Sequence, residues 1–442
     1  MQIDTLINAR WIIPVEPDKL VLEHHSLGIE GGRIKGILPT HRAKAEFQAG
    51  EVVDLPQHAL VPGFVNAHSH AAMSLLRGIA DDLPLMEWLT DHIWPLEARW
   101  ISESFVRDGT DLAMAEMLRS GITCFNDMYF FPDIVAQGAM RAGMRASVGM
   151  ILVDFPTAWA ANPDEYLAKG IRLHDELRHQ SLVQTTFAPH APYTVSDAPL
   201  TRIRTLSAEL DRPVHIHLHE TTGEIEQSQS THGMRPLKRL QQLDLLNRNL
   251  LAVHMTQLTD DEIRELAHTG ASVVHCPESN LKLASGFCPL DRLLKAGVNV
   301  ALGTDGAASN NDLDILGEMR TAALLGKAVA GDASAVPAAA ALRMATLNGA
   351  KALGIEDETG SLTVKKSADI TAINLDTLET LPLYDPISDI VYAASRQQVT
   401  DVWVAGRRLL ANRRLTRLDQ DDIRRKAIAW RERLTEKTAA RT

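Results

Sequence analysis

Between about Leu60 and Asp305 the chain alternates short, β-rich apolar runs with longer stretches of helical periodicity. The runs are Ala59 to Val65, Gly121 to Phe125, Arg145 to Val153, Leu182 to Ala188, Pro213 to His219, Leu250 to His254, Ala271 to Cys276 and Val298 to Gly303. Eight such runs are what a closed parallel barrel requires. The gaps carry helical spacing, as in Ser104 to Ser120 with Phe105, Leu112, Ala113 and Met117, and in Asp260 to Thr269 with Ile263, Leu266 and Ala267. The expected product is an α/β protein built on a (β/α)8 TIM barrel. A doubly wound open sheet shares the alternation, but no Gly-x-Gly-x-x-Gly follows the first strand.

The two ends of the chain follow another period. Asp4 to Pro14, Leu27 to Leu38, Gly360 to Leu375 and Val399 to Leu409 alternate apolar and polar residues between glycine turns, as half-buried antiparallel strands do. They predict a small β-sandwich domain assembled from both termini, residues 1–58 and 359–418, around a barrel of residues 59–358. An Ala-rich helical segment, Val336 to Leu353, leads out of the barrel, and a surface helix from Asp419 to Lys437 occupies the C-terminal segment 419–442.

At 442 residues the chain suits a large domain with a smaller companion. A formal net charge of −11 argues against nucleic acid as partner, because phosphate binding needs a concentrated basic face. Cys124, Cys276 and Cys288 have neither zinc-knuckle spacing nor the even pairing of a disulfide scaffold, which suits a reducing compartment. No apolar run is long enough to span a bilayer, and Met1 to Pro14 carries Asp4 and Arg10 rather than a basic start followed by an apolar stretch. A cytoplasmic protein without membrane contact is expected.

Histidine is plentiful, and its positions carry the chemistry. His68-Ser69-His70 closes the first apolar run; residues two apart on a strand share a face, so both imidazoles can reach one metal ion. His190 follows the fourth run, His215, His217, His219 and Glu220 the fifth, His254 the sixth and Asp305 the eighth. Side chains at the C-terminal ends of barrel strands share one mouth. The three strand-five histidines have equal parity and should face the interior, but not all can be ligands. Two histidines from strand one, one from strand five and the strand-eight carboxylate would give a divalent ion four protein ligands and room for water, which such an ion makes nucleophilic at neutral pH. Asp305 is then placed to accept the water's proton, and Glu220 to donate one to the substrate if its surroundings keep it protonated.

These segments closely resemble the amidohydrolase superfamily, and within it the 5'-methylthioadenosine/S-adenosylhomocysteine deaminases, essentially end to end. The resemblance rests on Pro62-Gly63-Phe64-Val65-Asn66-Ala67-His68-Ser69-His70, Ala188-Pro189-His190-Ala191-Pro192-Tyr193, His215-Ile216-His217-Leu218-His219-Glu220-Thr221, Val253-His254-Met255, His275-Cys276-Pro277-Glu278-Ser279-Asn280 and Gly303-Thr304-Asp305-Gly306. It implies His217 as the strand-five ligand, since the family pattern is His-x-x-Glu ending on Glu220. The implied metal set is His68, His70, His217 and Asp305, holding one divalent ion, zinc before iron or manganese. Two-metal relatives of this architecture commonly use a strand-four lysine carbamate, and Leu182 to Pro189 contains no Lys.

The resemblance further implies Glu220 as proton shuttle, Asp305 as base and His254 as the group orienting water or oxyanion. Glu97 corresponds to the ribose-hydroxyl contact, His190 to a further substrate contact and Ser309 to a residue touching the purine. The implied reaction is hydrolytic deamination of an adenine nucleoside to the inosine analogue, in a homo-oligomer. Members of the family often carry an Arg after strand three, and Ile151 to Pro163 has none. A compact apolar 5' substituent such as methylthio therefore fits better than a homocysteine tail, with Trp88, Phe155 or Trp159 as pocket walls. The rival readings are deamination or dechlorination of another heterocycle (guanine, cytosine, a pterin or a triazine) and a non-catalytic barrel scaffold. His219 and His275 are read as core or supporting groups, Cys276 as a small buried hydrophobe, and His24 and His25 as surface residues. Met73 and Met86 are read as either mouth or core.

Overall fold

The computed structural model describes residues 1–435. From the N-terminus come four strands, β1 (Gln2–Ile12), β2 (Leu22–Glu30), β3 (Arg33–Pro39) and β4 (Gln48–Pro62). Eight more form the barrel: β5 (Phe64–Ser69), β6 (Ile122–Asp127), β7 (Arg145–Leu152), β8 (Val183–Pro189), β9 (Val214–Leu218), β10 (Leu250–His254), β11 (Ser272–His275) and β12 (Asn299–Leu302). They pair in parallel in sequence order. The C-terminal part adds β13 (Ile370–Asn374), β14 (Val399–Val404), β15 (Arg407–Ala411) and β16 (Arg414–Leu415). The TIM barrel and the separate terminal sheet drawn from both ends are therefore as expected.

The terminal sheet runs β16-β15-β14-β13-β4-β1-β2-β3. Its pairs are antiparallel except β1 with β4, which are parallel and joined through the helix Thr40–Glu46. Ile7, Leu27, Ile34, Leu60, Ile370 and Trp403 share its core. His24 is exposed and His25 half-buried on β2.

The first expected barrel run is in fact two strands. Ala59 to Pro62 ends β4 in the terminal sheet, and β5 begins at Phe64. At this junction Gly63 N–H donates to the Asp369 carbonyl at 2.9 Å and Phe64 N–H to the Gly121 carbonyl at 3.0 Å, so the backbone changes sheets within two residues. A Cβ on Gly63 would lie 2.2 Å from the Thr123 side chain, so only glycine fits.

Three other expected segments are interrupted. Gly360 to Leu375 is strand only from Ile370, because Gly360 and Lys365 take positive φ and turn the chain. The last antiparallel run splits at Ala405–Gly406, both left-handed, into β14 and β15. The Ala-rich segment breaks into Ala338–Met344 and Leu347–Ala352, where the Ala345 carbonyl accepts from Val65 N–H of β5 at 2.8 Å. Helix Gln420–Thr435 packs Trp430 against Phe105, and the expected end at Lys437 lies outside the described residues. Among those residues no helix is long and apolar enough to cross a membrane.

Barrel and terminal sheet are joined by a buried ion pair. Arg145 on β7 donates Nε to Asp369 Oδ2 at 2.8 Å, with side-chain exposures of 7% and 0%. Burial alone would raise the Asp369 pKa, but Arg145 and the surrounding donors hold it below the usual range. Replacing Arg145 by Met strands that carboxylate. We expect a loss of about 3–5 kcal/mol in unfolding free energy, read from the denaturant midpoint.

Candidate metal-centred active site

The barrel seam between β12 and β5 is closed by side-chain and backbone hydrogen bonds. Asn66 Nδ2 donates to Thr304 Oγ1 at 2.7 Å, Thr304 N–H returns to Asn66 Oδ1 at 3.0 Å, and Asp305 N–H donates to the His68 carbonyl at 3.1 Å. This stitching places Asp305 directly over the end of β5. Asp305 Oδ1 lies 3.1 Å from His68 Nε2 and 3.2 Å from His70 Nε2, while His217 Nε2 lies 3.3 Å from each of those nitrogens.

One ligand atom from each of His68, His70, His217 and Asp305 falls within 4.8 Å of the others. A tetrahedral ion with bonds of about 2.1 Å separates its ligands by about 3.4 Å, which these spacings resemble. The residues present fit a metal. His70 Nδ1 rests on the Met128 carbonyl at 2.5 Å and His217 Nδ1 on the His190 carbonyl at 2.7 Å, so both rings present Nε2 inward. Burial lowers the pKa of His68 to about 4 and that of His217 well below its ordinary value, so both stay neutral. His70, against the burial that would lower it, is held up at about 9 by its hydrogen bond to Asp305 and that carboxylate's charge, and would give up this proton to a metal. Asp305 would be raised by burial, but the hydrogen bonds from His68 and His70 hold it well below the carboxylate range. Its Oδ2 accepts from Ser279 Oγ at 2.6 Å and Ser309 Oγ at 2.9 Å.

Glu220 sits beside this cluster. Its own N–H and that of His219 donate to the buried Glu224 carboxylate at 2.7 and 2.9 Å, and its carbonyl accepts from Thr256 Oγ1 at 2.7 Å. Burial, reinforced by the charge of Asp305, pushes the Glu220 pKa up to about 8. His254 Nε2 is 3.8 Å from Glu220 Oε2. Asn280 Nδ2 donates to His254 Nδ1 at 2.9 Å, leaving the ring hydrogen on Nε2, and burial lowers this pKa to about 4. His219, His254 and Asp305 all have positive φ, backbone strain of the kind that gathers at functional sites.

A cavity of about 580 Å³ opens from the cluster. His190, Ser309 and Glu97 line it, as do Trp88, Phe155 and Met73. Trp159 does not: it is buried behind the wall against Tyr166. Met86 is exposed on the surface. The Ser309 hydroxyl, expected on the purine, is held by Asp305. His219 is a buried supporting group, as read, although strand parity pointed it inward. β9 ends at Leu218, parity lapses there, and the His219 ring turns away to accept from Leu237 N–H at 3.0 Å.

Sequence reasoning missed Tyr129, whose hydroxyl donates to Glu97 Oε1 at 2.8 Å. Its place just beyond β6, at the mouth, was the available signal. Strand parity put His215 on the interior face without assigning it a role; its Nε2 lies 2.8 Å from His68 Nδ1.

With this geometry in view, comparison decides the family. Residues 59–409 match the amidohydrolase family. The chain belongs to it. It is 52% identical, over 98% of both chains, to a 5-methylthioadenosine/S-adenosylhomocysteine deaminase of Teredinibacter turnerae. A crystal structure of an adenosine deaminase from Xanthomonas campestris with bound zinc superposes with a TM-score of 0.97 at 54% identity, covering 98% of this chain and 99% of that one. A triazine hydrolase variant shares the fold at a TM-score of 0.90 and 22% identity, covering 96% and 99%. The amidohydrolase family and the deaminase relatives make this chain a hydrolytic deaminase.

Proposed function

We propose that this amidohydrolase deaminates adenine nucleosides, 5'-methylthioadenosine foremost, to the inosine analogue and ammonia, using one zinc ion held by His68, His70, His217 and Asp305. The ion supplies Lewis acidity and lowers the pKa of a water bound beside it. The observation that carries the reading is a pair of buried carboxyl groups in opposite surroundings, Asp305 ringed by His68, His70, Ser279 and Ser309, and Glu220 beside it without a cationic partner of that kind. Asp305, kept anionic, is the proton acceptor for the attacking water. Glu220, with its pKa near 8, enters the cycle protonated and donates to ring N1. His254 Nε2–H faces the same space and is the donor for charge developing on the incoming oxygen. Of the water's two protons, one then passes through Asp305 to the departing amine and the other returns to Glu220 as the carbonyl forms and ammonia leaves.

Substrate class follows from the rest of the cavity. Burial raises the pKa of the half-buried Glu97 to about 7 even with the Tyr129 hydroxyl opposing that rise. Its carboxylate can accept from both hydroxyls of a ribose. Replacing Tyr129 by Phe removes one donor and the counterweight to burial. We expect KM to rise by about tenfold at neutral pH, with kcat within about twofold, in steady-state assays. Among the described residues neither Lys nor Arg lines the cavity, whereas Leu85, Leu89, Ile93 and Phe155 do. An apolar methylthio group suits these walls, and the carboxylate of a homocysteine tail finds no cation there. The deciding experiment compares kcat/KM for methylthioadenosine, S-adenosylhomocysteine, adenosine and guanine. The first should exceed the second by about tenfold or more; no ammonia from any adenosine would overturn the reading. Three buried, unpaired cysteines support a cytoplasmic setting, and a homo-oligomer is proposed from the family resemblance alone.

A further inference from the structure

Two of the three inward-facing imidazoles are oriented by backbone carbonyls, which can only accept. The third is not. His68 Nδ1 meets His215 Nε2 at 2.8 Å, and His215 Nδ1 in turn meets Asn126 Nδ2 at 3.1 Å. Asn126 Nδ2 also donates to the Ala67 carbonyl at 2.9 Å, while Asn126 Oδ1 is buried with no partner. All three side chains are buried.

A neutral imidazole has one ring proton, so the direction of this chain is set from its far end. With Asn126 Nδ2 donating, His215 accepts at Nδ1 and carries its proton on Nε2. It then donates to His68 Nδ1, and the His68 proton sits on Nε2, 3.1 Å from Asp305 Oδ1. In that setting His68 has no lone pair to offer an ion. A half-turn of the Asn126 amide brings Oδ1 to His215 Nδ1, at the expense of the bond to Ala67. Both rings can then hold their protons on Nδ1, freeing Nε2 of His68.

We propose that Asn126 and His215 are positioning residues that determine which nitrogen of His68 bears the proton, and so whether its Nε2 is free to reach a metal. This rests on the metal reading given above and goes beyond it by assigning two residues that are not ligands. The orphaned Asn126 Oδ1 gives the amide a second hydrogen-bonding option toward His215 Nδ1.

The test is zinc affinity by chelator competition for wild type, His215→Phe and His215→Gln, with ¹⁵N-histidine spectra of the metal-free and zinc-loaded protein. Gln can accept from His68 Nδ1–H where Phe cannot. We expect His215→Phe to weaken zinc binding about ten- to a hundredfold, His215→Gln to restore most of it, and the His68 proton to move from Nε2 to Nδ1 on loading. Equal zinc affinity in wild type and His215→Phe, or a His68 proton on Nδ1 in both states, overturns the proposal. Should His215→Phe fail to fold, the Gln variant and the wild-type spectra still decide it. A wild type that binds no zinc overturns the metal reading itself, a result distinct from unchanged affinity in the variants.

Discussion

Glu220→Gln should lower kcat for methylthioadenosine by about 10²–10⁴ while leaving zinc content and KM close to wild type. Gln keeps the size of the side chain and a hydrogen-bond donor toward N1, but it has no proton to give up. The backbone clamp from Glu224 and Thr256 holds position 220 whatever its side chain, so the variant isolates proton transfer from placement. The pH profile supplies a second check. Because the Glu220 pKa is raised to about 8, the donating form is present below that value and is lost above it. Wild-type kcat/KM should therefore fall on the alkaline side with an apparent pKa near 8, a limb that Glu220→Gln should lack. Unchanged turnover in the variant would remove Glu220 from the chemistry.

The other large effect is expected from metal removal. Stripping the protein with a strong chelator should lower kcat by about a thousandfold or more, with recovery on adding zinc, since Lewis-acid stabilisation of several kcal/mol is lost at once. Thermal unfolding should shift downward in the stripped protein, because an ion bound only by the folded state stabilises it in proportion to its affinity. Retained turnover with metal below a few per cent of stoichiometry, measured by elemental analysis, would contradict the site described here.

Much of this site was legible before the fold was known, for a physical reason. Barrel strands place chemistry at their C-terminal ends, so His68, His70, His254 and Asp305 announced themselves by standing where apolar runs stop. The parity rule failed one residue beyond β9, because the left-handed backbone at His219 rotates everything that follows. It therefore overstated His219 and could not by itself choose among the three strand-five histidines; the family pattern supplied His217. Trp159 and Phe155 are four residues apart on one loop, and no local pattern says which of them faces the cavity. Tyr129 and Asn126 act through partners distant in sequence, Glu97 and His215, and contacts of that kind leave no periodic trace. The split of the first apolar run at Gly63 was hidden likewise: the residues on both sides are equally apolar, and only the competing carbonyls of Asp369 and Gly121 show where one sheet yields to the other.

The placement of β13 beside β4 also constrains how the molecule is made. These neighbours, paired from Ile370 with Pro62 to Asn374 with His58, are separated by about three hundred residues of intervening chain. A growing polypeptide emerging from the ribosome must carry the β4 edge unpaired until nearly all of the enzyme has been synthesised. Such an exposed edge is prone to pairing with other chains. Assembly of the native molecule is consequently a late, long-range event, and an expression arrest before residue 370 should leave an aggregation-prone intermediate instead of a shortened working catalyst.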